Sequence, residues 1–255
     1  MTRQRVKDLA VLSRRRARRE QGVFLVEGVR SVESAVAAGA PLAEVLIAHE
    51  TAETDRGAAL AEAAESRGVA VERVAAKDLA RIGDARTSQG VIAVSRRIVA
   101  ETPDALTGAR RVLALDGVQD PGNVGALVRT AAWFGVDAVL ADEDTADFES
   151  PKAVRAAMGG LWDLRLVRVP SLPEALDALP GAGVWGADMD GTPVAEWRPD
   201  TPSVLAMGSE AHGLSEALRQ RLAGTVAIAG GAGAGVESLN VAVAAGVLMH
   251  AWAGR

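Results

Sequence analysis

The sequence predicts an α/β protein, and three features carry that prediction. Short apolar runs alternate with helical stretches along the whole chain, the arrangement that gives a sheet covered by helices. The runs of the second half are joined by helical crossovers, which implies a parallel sheet covered on both faces. The 255 residues are 49% hydrophobic and 24% charged, ample material for a core.

In chain order, residues 4–20 are predicted as one helix, with Val6, Leu9, Ala10, Ser13 and Ala17 on one stripe and arginines around it. FLVEG (24–28) is a strand, 29–38 a helix ending at Gly39-Ala40-Pro41, and EVLIA (44–48) a strand. A helix over 53–67 ends at Gly68, and VAVERV (69–74) is a strand. A short helix at 77–82 and the strand GVIAVSRR (90–97) complete the first set. IVAETPDALTGA (98–109) has no clear period and contains Pro103 and Gly108, so the boundary falls there and separates domains at 1–100 and 108–255. The second set has strands at 112–116, 138–142, 165–169, 184–188, 203–207 and 225–229. Its helices are at 121–134, 151–160, 172–179, 215–223 and 238–252. In the first of them Val124, Leu127, Val128, Ala131 and Phe134 form the apolar stripe.

Composition excludes several chemistries. The chain has no cysteine, which removes disulfides, thiolate-bound zinc, iron–sulfur clusters and a thiol nucleophile. Three histidines (His49, His212, His250) leave little room for a His-rich metal site. No run of 18 apolar residues is present and the N-terminus lacks the apolar core of a secretory signal, so the expectation is a cytoplasmic protein off the membrane. The net charge of −5 is uneven. Residues 1–30 hold nine Lys/Arg against three acids, a net +6, which leaves −11 on the remainder. That basic end reads equally as a phosphate-binding footprint or as a solvated helix.

Three segments depart from core patterning. In LDGVQDPGNVGALVRTAAWFG (115–135) a strand runs through a polar turn into a helix, with Pro121 at its start, Asn123 in its first turn and Arg129 six residues on. Six residues is about 600° of helix, so the two lie roughly 120° apart around the axis. Spacing alone favours a helix cap and a solvated arginine. In SVLAMGSEAHGLSEAL (203–218) a buried strand stops at Gly208 before Ser209, Glu210 and His212, at the strand end where α/β sheets bind ligands. GSEAHG is not G-x-S-x-G, so a hydrolase elbow fails and His212 reads as a loop hydrogen-bonder. In TVAIAGGAGAGVESLNVAVAAGVLMHAW (225–252) glycines 230, 231, 233 and 235 match neither the G-x-G-x-x-G nor the Walker A template. That disfavours a dinucleotide-dependent dehydrogenase. Ser238 and Asn240 open a helix apolar on nearly every side, as in a core or a subunit interface, and their plain readings are an N-cap and a first-turn polar residue.

Together, DPGNVGALVRTAAWFG, LAMGSEAHGLS and VESLNVAVAAGVL resemble, in order and spacing, the three motifs of the SpoU (TrmH) family of RNA 2′-O-ribose methyltransferases, in the SPOUT class. The likeness covers roughly 110–255. RRRARREQGVFLVEGVRSVESAVAAG, ahead of it, resembles the RNA substrate-binding domain that precedes such catalytic domains and is similar to small ribosomal proteins. The resemblance implies a parallel sheet whose C-terminal part threads into a deep trefoil knot, a homodimer, and S-adenosylmethionine as methyl donor with no metal. It implies catalytic roles for Asn123, Arg129, Glu210, Ser238 and Asn240, with Glu210 orienting Arg129. It places the cofactor against Met207, Gly208, Ile228 and Leu239. It favours the RNA-binding reading of Arg14, Arg15, Arg16, Arg18 and Arg19, to which Lys152 and Arg155 are added. The substrate it implies is ribosomal RNA of the large subunit (23S), against a tRNA enzyme, an antibiotic-resistance enzyme of the same family, or a silent RNA-binding protein. Ala229 stands where the family usually has Pro, and the glycine run is about two residues longer, which changes the loop expected around the adenine.

Overall fold

The structure is a computed structural model that describes residues 1–85, 87–231 and 238–253. The chain runs through α1 (Arg3–Ala10), α2 (Arg15–Gln21), β1 (Val23–Glu27), α3 (Val29–Ala37) and β2 (Leu42–Ala48). It continues with α4 (His49–Ala52), α5 (Asp55–Ser66), β3 (Ala70–Val74), α6 (Ala76–Ile82) and β4 (Val91–Arg96). Next come β5 (Arg111–Asp116), α7 (Pro121–Trp133), β6 (Ala138–Ala141), α8 (Pro151–Ala157), β7 (Arg165–Arg168) and α9 (Leu172–Ala175). The last elements are β8 (Gly183–Pro193), β9 (Ser203–Gly208), α10 (Glu216–Arg219), β10 (Gly224–Ala227) and α11 (Val241–Ala253). They form two compact units: Met1–Ile98 with Asp147–Trp162, and Val99–Ala146 with Asp163–Arg255.

The first unit carries a mixed sheet in the order β1-β4-β2-β3, antiparallel except for the β2–β3 pair. Its core joins Val6, Leu9 and Leu12 to Leu46, Leu79 and Ile92. The single helix predicted over 4–20 is broken. Val11–Ser13 tightens into a 3-10 turn and Arg14 is extended, at φ −92° and ψ 131°. The cause is Arg18, which turns inward and is only 2% exposed. Its Nη1 donates to Leu12 O at 2.7 Å and Ser13 O at 2.9 Å, and its Nη2 meets Asp147 Oδ2 at 2.6 Å. Arg18 therefore caps the end of the preceding helical turn and cannot reach a phosphate outside. This corrects its assignment to an RNA-binding cluster.

Asp147 belongs to a segment that the sequence pattern places in the second half. The segment packs in the first unit because its charges are complemented there. Buried Glu149 accepts from Arg97 Nε at 2.8 Å and from Ile98 N at 3.0 Å. Arg155 pairs with Glu27 at 3.3 Å and with Asp84 at 2.8 Å, so this second presumed RNA contact is engaged in an internal ion pair. Phe24 stacks on Trp162 with centroids 6.1 Å apart. Gly159 has φ 95°, and a Cβ there would lie 2.1 Å from Ser34 Oγ, so only glycine fits. The chain thus passes from one unit to the other at 98/99, 146/147 and 162/163 rather than once near 98–109.

The second unit holds a six-stranded sheet in the order β10-β8-β9-β5-β6-β7, every pair parallel. Val112 through Leu115 of its inner strand β5 are all exposed by 1% or less, as expected of a strand covered on both faces. Asp116 of β5 stands opposite Gly208 of β9, so these strands end on one edge. β8 outruns its predicted 184–188 because, after a register shift, β10 pairs with it again at Thr192 and Pro193. The helix expected over 215–223 closes at Arg219, since Ala223 N is drawn to Val184 O at 2.7 Å to begin β10. α11 packs along α7, where Phe134 meets His250 with ring centroids 5.8 Å apart. At its far end Trp252 Nε1 donates to Ser203 Oγ at 2.9 Å, tying the helix to the start of β9.

Arg18→Ala takes a buried guanidinium away from Asp147 and from the carbonyls of Leu12 and Ser13. We expect a loss of about 3–5 kcal/mol in urea unfolding at neutral pH. An unchanged midpoint would show that the pair carries no stability.

Candidate active site

α7 starts where the sequence indicates, but its cap is Asp120. The Asp120 carboxylate accepts from Gly122 N at 2.5 Å and Asn123 N at 3.1 Å, and Pro121 occupies the first helical position. Asn123 is thereby released from capping. Its Nδ2 donates to Glu210 Oε1 at 2.5 Å, and its Oδ1 accepts from Asn240 Nδ2 at 3.1 Å. Asn240 in turn caps α11: its Oδ1 accepts from Ala242 N at 2.9 Å and Val243 N at 3.3 Å, and its carbonyl accepts from Ala244 N at 2.9 Å. The capping role considered for Ser238 falls to Asn240, and the helix predicted from 238 begins at Val241.

The direction of this relay is set by elementary donor and acceptor rules. Backbone N–H groups oblige Asn240 to present its oxygen to the helix, so its NH₂ faces Asn123. Asn123 must then present its oxygen to Asn240 and its own NH₂ to Glu210. Two amides that could each be flipped in isolation are oriented by one helix terminus.

Glu210 sits on the turn that follows β9. Ser209 and Gly213 exchange backbone hydrogen bonds at 3.1 and 2.9 Å, Gly213 has φ 67°, and Ser215 N donates to Asp116 Oδ2 at 2.6 Å. His212 meets Ser209 through its main chain, N to Oγ at 3.1 Å, which is turn geometry and not a nucleophile–base pair. Gly208 is required by close approach: a Cβ there would lie 2.2 Å from the Gly213 carbonyl carbon.

Beside the turn lies a cavity of about 490 Å³, within the size range of small-molecule sites. Met207, Gly208, Ile228 and Leu239 line it, as do Glu210, Ser238 and Asn240. Residues of two of the three segments therefore line the cavity, and Asn123 of the third joins them through Glu210 and Asn240. Asp188, Met189 and Arg219 also line it and were not singled out from the sequence. Asp188 ends the predicted strand VWGAD, so the strand-end rule could have found it; nothing in the sequence marks Arg219. Arg219 Nη1 donates to Asp188 Oδ2 at 2.9 Å. Burial opposes ionisation of Asp188, but Arg219 and the N–H groups of Asp190 and Met189 outweigh it and hold the carboxyl below the usual range.

Arg129 is not brought to the cavity. It is exposed on α7 and forms no hydrogen bond or ion pair among the described residues. Glu210 is held by Asn123 and does not orient Arg129, which corrects that expectation; the helical offset between Asn123 and Arg129 turns the arginine to another face. Of the remaining basic set, Arg14, Arg16, Arg19 and Lys152 are exposed and Arg15 is half-buried. Arg16 pairs with Glu20 one turn on, at 2.6 Å. A Cβ on Gly230 or Gly231 would meet open space. Gly233 and Gly235 fall within 232–237, which lies outside the described residues. Among the described residues no helix is long and apolar enough to cross a membrane, and no group of three or more His, Asp or Glu is placed to hold a metal.

Residues 110–250 match the model of the SpoU rRNA Methylase family, and residues 3–93 match that of the MRM3-like substrate binding domain. The chain is 32% identical over 252 residues to the 23S rRNA (guanosine(2553)-2′-O)-methyltransferase RlmP of Bacillus subtilis, covering 97% of this chain and 95% of that protein. It is 32% identical over 234 residues to the 23S rRNA (guanosine-2′-O-)-methyltransferase RlmB of Xanthomonas axonopodis pv. citri, covering 88% and 93%. The crystal structure of the SpoU methyltransferase AviRb from Streptomyces viridochromogenes, in complex with the cofactor AdoMet, superimposes with a TM-score of 0.84 at 27% identity, covering 98% of this chain and 97% of that one.

Gly208→Ala drives a methyl group into the Gly213 backbone. The expected cost is about 1–3 kcal/mol in urea unfolding, and an unchanged stability would show that the turn yields freely.

Proposed function

The chain belongs to the SpoU rRNA methylase family, and from that premise we propose that it moves a methyl group from S-adenosylmethionine to a ribose 2′-hydroxyl of 23S ribosomal RNA. One observation carries the reading: the Asn240–Asn123–Glu210 relay stands at a cavity lined by Met207, Gly208, Ile228 and Leu239. The lining fits the methyl donor. Leu239, Ile228, Val226 and Leu248 offer apolar contact to a flat base, glycine backbone permits close approach, and Asp188 and Glu210 suit a cation. When bound, the donor supplies an electrophilic methyl on a positively charged sulfur. The relatives RlmP and RlmB, and the match of 3–93 to a substrate-binding domain, support the ribosomal substrate.

Methyl transfer requires the hydroxyl to be aligned, its proton removed and its growing negative charge stabilised. Asn123, Ser238 and Asn240 align ribose and backbone at the cavity mouth. Arg129 acts as an electrostatic partner for the neighbouring phosphate and the developing alkoxide, because a guanidinium has no accessible neutral form. Its separation from the cavity in one chain is explained by a homodimer. Arg129 shares α7 with Trp133, which is 83% exposed, and the adjoining α11 exposes Val243 at 54% and Val247 at 40%. A second copy laid on this face would cover those side chains and add an Arg129 to the site. In the first unit, Arg14, Arg16 and Arg19 offer the outward positive charge for RNA. A deep trefoil knot in the C-terminal part of the catalytic domain and a cytoplasmic location complete the proposal.

Purified protein given labelled S-adenosylmethionine and 23S rRNA should place one 2′-O-methyl mark, located by mapping. Arg129→Ala should lower that rate by about 100-fold or more, with donor binding by calorimetry unchanged. Near-normal turnover removes Arg129 from the site. Replacing Arg14 and Arg16 with alanine should flatten the salt dependence of RNA binding, by about 0.7–0.9 in log–log slope for each phosphate that is no longer neutralised. An unchanged slope returns these residues to ordinary solvated surface.

A further inference from the structure

Resting on the methyl-transfer reading, we propose that Arg219 recognises the amino-acid end of the methyl donor, with its Nη2 edge receiving the carboxylate of S-adenosylmethionine. Arg219 lies one residue beyond the segment 203–218 and outside the three motifs. Only the cavity brings it to the site.

Charge balance calls for such a residue. S-adenosylmethionine carries two cationic groups, the sulfonium and the α-ammonium, and one anion, the carboxylate. Asp188 and Glu210 line the cavity and suit the cations. The same two acids repel the carboxylate, so a bound donor needs a cation to receive it. Among the described lining residues, Arg219 is the one Lys or Arg. The Arg129 that a second copy adds serves the RNA phosphate and the alkoxide, on the acceptor side of the methyl.

The guanidinium is already fixed for this task. Arg219 closes α10 and folds back, so that Nε donates to Leu214 O at 3.1 Å and Nη1 donates to Asp188 Oδ2 at 2.9 Å. Asp188 is itself held, its Oδ1 accepting from Met189 N at 2.7 Å and from Asp190 N at 3.4 Å. Arg219 and these N–H groups keep Asp188 ionised, below the usual carboxylate range. Two of the three guanidinium nitrogens are thereby committed, and the side-chain entropy of ordering the arginine is lost before any ligand arrives. Nη2 has no hydrogen-bond partner among the described residues. Gly213, which also lines the cavity, leaves that nitrogen uncovered, since a Cβ there would stand 3.2 Å from it. A preordered N–H on a cation is the strong kind of donor for a carboxylate. An RNA phosphate offers the same oxyanion chemistry. Only the donor, however, carries an ammonium beside its carboxylate, and the Asp188–Arg219 pair presents the two opposite signs side by side.

Calorimetry on the full-length protein without RNA tests this, with S-adenosylmethionine and decarboxylated S-adenosylmethionine as the probes. The second probe keeps both cationic groups and lacks the anion. Wild type should bind the carboxylate-bearing donor about 10-fold more tightly or better. Arg219→Gln should bind the two alike or favour the decarboxylated one, and Arg129→Ala should keep the wild-type preference. Equal affinities in wild type overturn the proposal without recourse to any variant. A preference that survives Arg219→Gln overturns it too, and one that is lost in Arg129→Ala moves the carboxylate to that arginine. If Arg219→Gln lowers the salt slope of RNA binding and leaves the donor preference intact, the guanidinium serves an RNA phosphate and the proposal falls. Methyl transfer stands in each of these cases. If wild-type protein binds neither probe, the methyl-transfer reading itself falls.

Discussion

Strands that run parallel and in register must all deliver their C-terminal ends to one edge of the sheet, and this constraint governs the second unit. β5 and β9 are paired from Arg111–Ser203 to Asp116–Gly208, and β8 is paired to β9 through Gly186–Ala206. Three loops distant in sequence are released side by side in consequence. The pairing is held by apolar side chains buried on both faces, so a slip of one residue would invert each strand's two faces and move Gly208 away from Asp116. Asp116 uses that placement at once, accepting Ser215 N and holding the turn that carries Glu210.

At that edge, helix termini convert ordinary capping chemistry into a polar site. Asp120 satisfies the start of α7 and so frees the Asn123 amide. Asn240 satisfies the start of α11 with its oxygen and so commits its NH₂ outward. The result is a line of donors that ends on a carboxylate. This carboxylate lines the same cavity as Asp188, which is paired with Arg219.

The first unit shows how far a charge count misleads. Of the nine basic residues in the first thirty, Arg18 is turned into the fold against Asp147, and Arg5 is engaged by Glu44 and Glu72. The outward charge comes from a smaller set that includes Arg14, Arg16 and Arg19. Arg18 also explains the kink between α1 and α2, since the carbonyls of Leu12 and Ser13 bend toward its guanidinium. The helical stripe Val6, Leu9, Ala10 in the sequence is sound for α1, but no periodicity reports an arginine that closes on its own preceding turn.

The sequence alone determined the α/β class, the approximate position of nearly every strand and the three segments that meet at the site. Those features are local: apolar runs, breakers and motif spacing act within a few residues. Family likeness further identified Met207, Gly208, Ile228, Leu239, Glu210, Ser238 and Asn240, which the cavity brings together. Only the tertiary structure decided which polar group caps and which reaches across, because Asn123, read from spacing as a helix cap, meets Glu210 and Asn240 only in the fold. It alone showed that 147–162 packs with the first unit, through ion pairs between residues more than fifty positions apart. It alone separated Arg129 from Glu210. Partner choice among charged and amide side chains depends on long-range geometry, and one-dimensional spacing carries no record of it.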